Sequence, residues 1–473
     1  MAFSSRQFIL QFLPLTLAGY WLLARPAGKT VAKVYLVIAS LWFYSHGSPK
    51  YVPLLVFTTV FNYLIVYRLA RCGRDSLGAR LLVTLAVVEN LGFLIYYKYS
   101  GFILDNLNRV FGTSYSVTIS DMPLGISFYT FLILSCVVDV YREGGTELTF
   151  LDFATFVTFF PQLIVGPVSR QSEVIPQLRR EQLLRPDSKD IMLGMTLFSL
   201  GCVKKILIAD PLIRHAQAFY GTTGSGFFEA WRAVLAYTFA YYFDFSGYAD
   251  MAVGLGLFFN VKLPFNFDSP YKAKDFADFW RRWNITVSQF FHRHVFQSIF
   301  HFGDSLGRLM AATMATFLVS GLWHGAAWHF VFWGALNGLL VCVSHIMTIR
   351  RVRLPSGIAR ASTFFLILLT RVLFDSSSMT QAASVYRSLF GLGSPPGMGA
   401  STFVAEGASY VRANLPIFSL LLVSAVTCFY GPDAREISER FRPKWYHAAL
   451  AGAAFIVSLF FMGRVSTFLY FQF

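Results

Sequence analysis

Long apolar runs, broken by short polar stretches, recur along almost the whole chain. Crossing the hydrocarbon core of a bilayer takes about 20 successive apolar residues. By that measure segments near 6–23, 31–46, 51–70, 79–97, 122–141, 150–168, 190–209, 229–259, 309–322, 326–347, 361–374, 414–430 and 446–463 read as membrane helices. Several are too short or too polar to cross alone, so the pattern predicts about 10–12 spans with re-entrant and interfacial pieces. The first run, Phe8–Leu23, reads as a span rather than a cleavable leader, because no small-residue cleavage site follows it. Trp21, Trp42, Tyr44, Tyr96 and Tyr97 stand at run ends, where an interfacial aromatic belt belongs.

Composition agrees with this reading. Of the 473 residues 55% are hydrophobic and only 14% charged, against roughly 25% charged in a soluble domain. The chain lacks the polar surface that a water-soluble globule of this length needs. The expected fold is all-α, a polytopic transmembrane bundle forming a single domain over residues 1–473. The net charge of +15 would suggest nucleic acid in a soluble protein, but here the basic residues interrupt apolar runs, as cytoplasmic loops do. Residues 68–80, 170–189 and 350–360 form short basic loops and are expected to face the cytoplasm. The Gly-, Ser- and Pro-rich stretch Gly391–Glu406 reads as a loop on the other side. The five cysteines are scattered without a CxxC pair, which argues against a clustered metal site or a disulfide framework.

Two places break the simple pattern. Residues 260–302 are aromatic and basic rather than apolar. From Lys274 onward, Phe276, Phe279, Trp280 and Trp283 fall on one helical face, while Lys274, Asp275, Asp278, Arg281 and Arg282 take the other. Such a helix suits the headgroup plane, and it also suits the border of a site for an anionic ligand. The second place is His324, between Trp323 and Gly325 inside the apolar run Thr313–Leu340. An ionisable side chain in a membrane segment is costly and marks a functional candidate. Gly321, Gly325 and Gly334 nearby admit close approach, either of another helix or of a ligand. Asp244 and Asp250 form a further polar island, with Asp244 expected to pair with a Lys or Arg.

Metal chemistry is not expected. His324 and His329 lack the i, i+4 spacing of a helical zinc pair, and His292 and His294 would face opposite sides of a strand. No nucleophile elbow, P-loop or dinucleotide fingerprint occurs in a usable context.

The ordered pieces Phe160-Pro161-Gln162 with Gly166-Pro167, Lys204-Lys205 to Asp210, Tyr242 to Tyr248, Asn266 to Tyr271, Phe279 to Trp283 and Gly321 to Gly325 resemble the membrane-bound O-acyltransferase family. Within it they are similar to the bacterial branch that modifies polysaccharides such as alginate, and the terminal Phe468–Phe473 is similar too. The resemblance implies transfer of acetyl from cytoplasmic acetyl-CoA toward an exported, alginate-like polysaccharide. It also implies a place in the bacterial inner membrane and a periplasmic SGNH-type acetyltransferase as partner. The family's histidine corresponds to His324 and its second functional position to Asn284, where this branch generally carries His. The catalytic region is then about 230–345, with Arg281, Arg282, Lys272, Lys274 and Trp323 as expected contacts of the coenzyme. A transporter or flippase for the modified polymer, or a scaffold subunit, is the rival expectation.

Overall fold

In a computed structural model of the chain, all residues are described except 75, 118, 120, 145–146, 221–225, 393–399, 463–467 and 470–473, and the side chains of 24, 25 and 400. Asp75 in the first basic loop, much of the expected 391–406 loop and the last four residues of the terminal motif thus lie outside the described residues. From Ala400 onward that expected loop is helical, over Ala400–Ala413. The described backbone is helical and carries one isolated bridge, Phe267 to Trp283.

Six helical stretches among the described residues are long and apolar enough to cross a membrane, or seven if the bent pair Ser401–Ala413 and Leu415–Tyr430 forms one span. That is fewer than the expected 10–12, for local reasons. The runs near 6–23 and 31–46 fall in the stretch α1 (Leu13–Ser45), which Gly28, at φ 83° and ψ 175° two residues after Pro26, breaks into two helices, and the apolar helix of the first run, Phe8–Leu23, is too short to count as a span. The run near 150–168 stops as a helix at Thr158, and Pro161 opens the next short turn. Proline cannot continue the hydrogen-bond ladder.

The chain divides into two compact units that interleave in sequence: residues 1–199, 248–265 and 442–453 form the first, and residues 200–247, 266–441 and 454–473 the second. In the first unit, α1 joins α2 (Val52–Leu69), α3 (Leu77–Leu94) and α4 (Ile126–Glu143). Phe3, Phe8, Phe12, Phe43 and Phe160 form its aromatic centre. Charges inside it are matched: Asp152 accepts from Lys33 at 2.7 Å and from Arg179 at 2.8 Å, and Asp139 pairs with Arg170 at 3.0 Å. Two arginines of the basic stretch 170–189 therefore serve as ties to buried carboxylates rather than as free surface charge.

The second unit takes in most of α5 (Phe227–Phe258). It continues with the short helices α6 (Phe276–Arg282) and α7 (Ile285–Phe291), then the long α8 (Leu306–His324), α9 (Trp328–Ile349) and α10 (Ser356–Asp375). On α5, Asp244 meets Lys205 at 2.6 Å, and Lys205 also holds Asp210 at 2.8 Å, so the expected pairing of Asp244 is realised. The same carboxylate accepts the backbone N–H of Leu469 at 2.8 Å.

Helices α8 and α9 form a tight hairpin because glycine lines their seam. A Cβ on Gly321 would lie 2.4 Å from the Phe330 carbonyl, and one on Gly334 would lie 2.4 Å from the Phe317 carbonyl. These glycines answer to helix packing, which in lipid rests on small residues that let backbones approach. Gly334→Ala is accordingly expected to cost about 1–3 kcal/mol through overpacking, read as a lowered melting temperature in detergent. Gly357→Ala, on α10 with nothing within 4 Å, is expected to leave the melt unchanged or slightly raised.

Candidate functional site

The expected continuous amphipathic helix from Lys274 through Trp283 ends early. Asp275 caps α6 by accepting the Asp278 N–H at 2.7 Å, and the helix stops at Arg282. Trp283 is extended, and Asn284 takes φ 44°, ψ 54° before α7 begins. Asparagine tolerates this left-handed conformation better than most residues. The reversal is clamped from an earlier segment. Asp268 N–H donates to the Arg282 carbonyl at 3.0 Å, and Ile285 N–H donates to the Asn266 carbonyl at 2.9 Å. Asn266 Oδ1 also accepts from the Thr286 hydroxyl at 2.6 Å. Trp283 stays buried, stacked on Phe279 and edge-on to Phe267.

This clamp buries Asn284, whose Oδ1 has no protein hydrogen-bond partner. A buried amide oxygen left without a partner costs on the order of 1–3 kcal/mol, and this one is among several such buried atoms.

His324 ends α8. Its ring meets Trp333 at 5.0 Å and Phe374 at 5.1 Å, both nearly perpendicular. On one side it opens, with Asn284, into a cavity of about 540 Å³. Ligand pockets of ~300–1,000 Å³ are typical. Trp280, Phe291, Phe317 and Val341 give that cavity apolar walls, and Arg281, Ser288, His292 and His345 add polar groups. From Trp333, against His324, to His345 the α9 axis rises about 18 Å at 1.5 Å per residue. The cavity therefore reaches from a deep imidazole to a rim carrying Arg281 and His345.

The expected donor contacts separate. Arg281 lines the cavity with its side chain 69% exposed. Arg282 instead binds Asp278 at 2.9 Å and the Asp268 carbonyl at 3.2 Å. Lys272 donates to the Gly431 carbonyl at 2.8 Å and lies 3.4 Å from Glu436. Lys274 is exposed and outside the cavity lining, and Trp323 packs edge-on against Phe291, also outside it.

Residues 292–296 are helical rather than a strand, which turns His292 to the cavity. Burial first, and the Arg293 charge second, hold its pKa below the usual histidine value. His329 is occupied structurally, its Nδ1 3.1 Å from the Leu373 carbonyl. His345 went unremarked in the sequence, although an ionisable residue inside the apolar run Val341–Ile349 was a usable signal. Among the described residues, no three His, Cys, Asp or Glu side chains group as metal ligands would.

An imidazole and an amide line one chamber, in a chain whose described helices are long and apolar enough to cross a bilayer several times. The chain belongs to the membrane-bound O-acyltransferase family, whose sequence profile matches residues 31–357, and it is an acyltransferase. It is 33% identical to the peptidoglycan O-acetyltransferase of Helicobacter pylori, over 100% of this chain and 98% of the relative. It is 35% identical to the probable alginate O-acetylase of Pseudomonas aeruginosa, over 91% of this chain and 81% of the relative. A teichoic acid D-alanyltransferase of Streptococcus thermophilus matches at 28% over 46% of this chain and 55% of the relative.

The positive φ at Asn284 separates backbone from side-chain function. Asn284→Gly keeps the left-handed turn and removes the amide, so the melting temperature is expected to stay near wild type while turnover falls on the order of 100-fold. Asn284→Ala loses the amide and also strains the turn by about 1 kcal/mol or more, measured as a lower melting temperature than that of the glycine variant.

Proposed function

We propose that this enzyme takes acetyl from acetyl-CoA on the cytoplasmic side of a bacterial inner membrane for O-acetylation of an exported polysaccharide. The observation that carries the proposal is the shared chamber: His324 and Asn284 line one cavity whose far rim holds Arg281 and His345. A thioester at the end of a long anionic carrier matches that layout, because the apolar walls accept the arm and the cationic rim faces the phosphates. The full-length similarity to a peptidoglycan O-acetyltransferase and the slightly shorter match to alginate O-acetylases support a glycan hydroxyl as the final acceptor. An alginate-like polymer and the glycan strand of peptidoglycan are the two candidates.

Chemically, the neutral imidazole removes a proton from the attacking hydroxyl as its oxygen adds to the thioester carbonyl. The C–S bond then breaks, and the leaving thiolate recovers the proton from the imidazolium. In the alternative order the imidazole nitrogen itself takes the acetyl, releases the thiol, and passes the acetyl to the hydroxyl. In both orders the Asn284 amide N–H donates to the developing oxyanion, a contact stronger in the transition state than in the ground state. A periplasmic SGNH-type acetyltransferase completes delivery to the polymer.

The test uses purified protein in nanodiscs with radiolabelled acetyl-CoA. His324→Ala is expected to lower thioester cleavage by about 100- to 10,000-fold, and acid-labile label on the wild type alone would mark the covalent order. Unchanged cleavage in the variant would remove His324 from the chemistry. A wild type that leaves acetyl-CoA intact, with and without its periplasmic partner, would favour transport or scaffolding instead.

A further inference from the structure

Helix α8 carries three hydroxyl side chains, Thr313, Thr316 and Ser320, and all three line the large cavity with His324. Their spacing of three, four and four residues up to His324 keeps the four side chains within an arc of about 80° on one helix face. Thr313 is buried, and Thr316 and Ser320 are partly so. The Thr313 hydroxyl donates to the Leu309 carbonyl at 2.9 Å, and the Thr316 hydroxyl donates to the Ala312 carbonyl at 2.7 Å. Both protons are thereby used within the helix, the ordinary way to satisfy a hydroxyl in a membrane segment. Each oxygen keeps lone pairs, so these two groups meet a ligand as acceptors.

Two other residues of the cavity lining have a buried atom without a protein partner: Asn284 Oδ1, an acceptor, and Trp280 Nε1, a donor. A secondary amide complements both kinds of group. The row of hydroxyls also has a direction. Cys342 Sγ lies 3.8 Å from the Met310 carbonyl, and Gly338 faces Met314 and Phe317. The Thr313 end therefore lies beside the part of α9 that leads to His345. From Thr313 to Ser320 the axis of α8 rises about 10.5 Å toward His324.

We propose that Thr313, Thr316 and Ser320 form a binding row for the pantetheine arm of the donor thioester, their oxygens accepting the arm's two amide N–H groups. Phe317 and Val341 suit the methylenes of such an arm. An amide N–H taken from water into apolar walls loses a hydrogen bond at a cost, and the row replaces that bond. A plain alkyl thioester brings no donor for these oxygens, so the row selects for a carrier with amides. Its place between the rim and the imidazole sets how far the arm enters before the thioester meets His324.

The inference rests on the acyl-transfer reading of His324, and its test separates the two. Full-length protein in nanodiscs would be given three radiolabelled acetyl donors: acetyl-CoA, S-acetylpantetheine, and S-(2-methoxyethyl) thioacetate, which has no N–H. Cleavage would be followed for wild type, Thr313→Val, Thr316→Val, Ser320→Ala and the triple variant, with thermal melts and the Kd for CoA. Valine keeps the branched shape of threonine, so melts near wild type are expected. Each single change is expected to lower kcat/KM for the two amide-bearing donors about two- to tenfold, as loss of one hydrogen bond does, through KM rather than kcat. The triple variant is expected to lose more and to bind CoA correspondingly more weakly, with the amide-free donor within about twofold of wild type.

A triple variant that keeps the wild-type preference for S-acetylpantetheine over the amide-free thioester would overturn the proposal. So would an equal loss with all three donors, which marks a general disturbance of the cavity. If wild type cleaves neither small donor, the Kd for CoA decides, and an unchanged Kd in the triple variant overturns the row. Acetyl-CoA cleavage unaffected by His324→Ala would overturn the reading of that imidazole, while a weaker Kd in the triple variant would still uphold the row.

Discussion

The near-contact of two backbones at Gly321 and Gly334 fixes the depth and orientation of His324. The imidazole sits at the end of α8, three residues past Gly321, and Trp333, its perpendicular neighbour, immediately precedes Gly334 on α9. Any side chain at either glycine would part the helices and separate the imidazole from the ring that supports it. In a bilayer, where apolar surface alone gives helices little reason to associate, such a seam supplies dispersion contacts that longer side chains would block. Helix α10 then completes the setting, with Phe374 against both His324 and Trp333. The site is thus a consequence of a packing motif, and its precision derives from backbone rather than from flexible side chains.

The interior treats its polar groups in two ways. Lys205 is shared by Asp210 and Asp244, Asp152 is shared by Lys33 and Arg179, and His329 meets the Leu373 carbonyl. These groups have partners because an unpaired charge or donor away from water is costly. Other buried polar atoms, among them Thr16 Oγ1, Tyr44 Oη, Arg232 Nε, Asn284 Oδ1 and Arg371 Nε, have no protein hydrogen-bond partner. Of these residues, Asn284 and Arg371 line cavities that His324 also lines.

Much of this was legible in the sequence wherever the signal is local. Apolar runs gave the helices, the lone His324 in such a run was the candidate read from the residues, and Asn284 entered only through the family resemblance; both line one cavity. The turn at Trp283–Asn284 was not legible, because the apolar spacing from Phe276 to Trp283 suits a continuing helix. What ends the helix is a clamp from Asn266 and Asp268, residues well upstream. The same reason explains why Arg282 and Lys272 looked available for phosphate. Their partners, Asp268 and the stretch around Gly431 and Glu436, meet them only after folding. Arg371 and Asp375 stand four residues apart at the end of an apolar run and were visible as a pair, but nothing local says that Arg371 lines a cavity with His324.

A histidine that must serve as base or nucleophile needs unequal surroundings on its two nitrogens. One must be accessible to substrate with its lone pair free, while the other must hold the proton. In this chain His324 lines two cavities of very unequal size, one of about 540 Å³ and one of about 20 Å³. Only the first admits a thioester or a glycan hydroxyl; the second admits a water at most. Trp333 and Phe374, perpendicular to the ring, oppose a flip that would exchange the two nitrogens. This division also explains how one scaffold can suit relatives named for different polymers. On the proposed acyl-transfer reading, the imidazole moves the acyl group, whereas the walls and rim of the larger chamber determine which donor and acceptor can reach it.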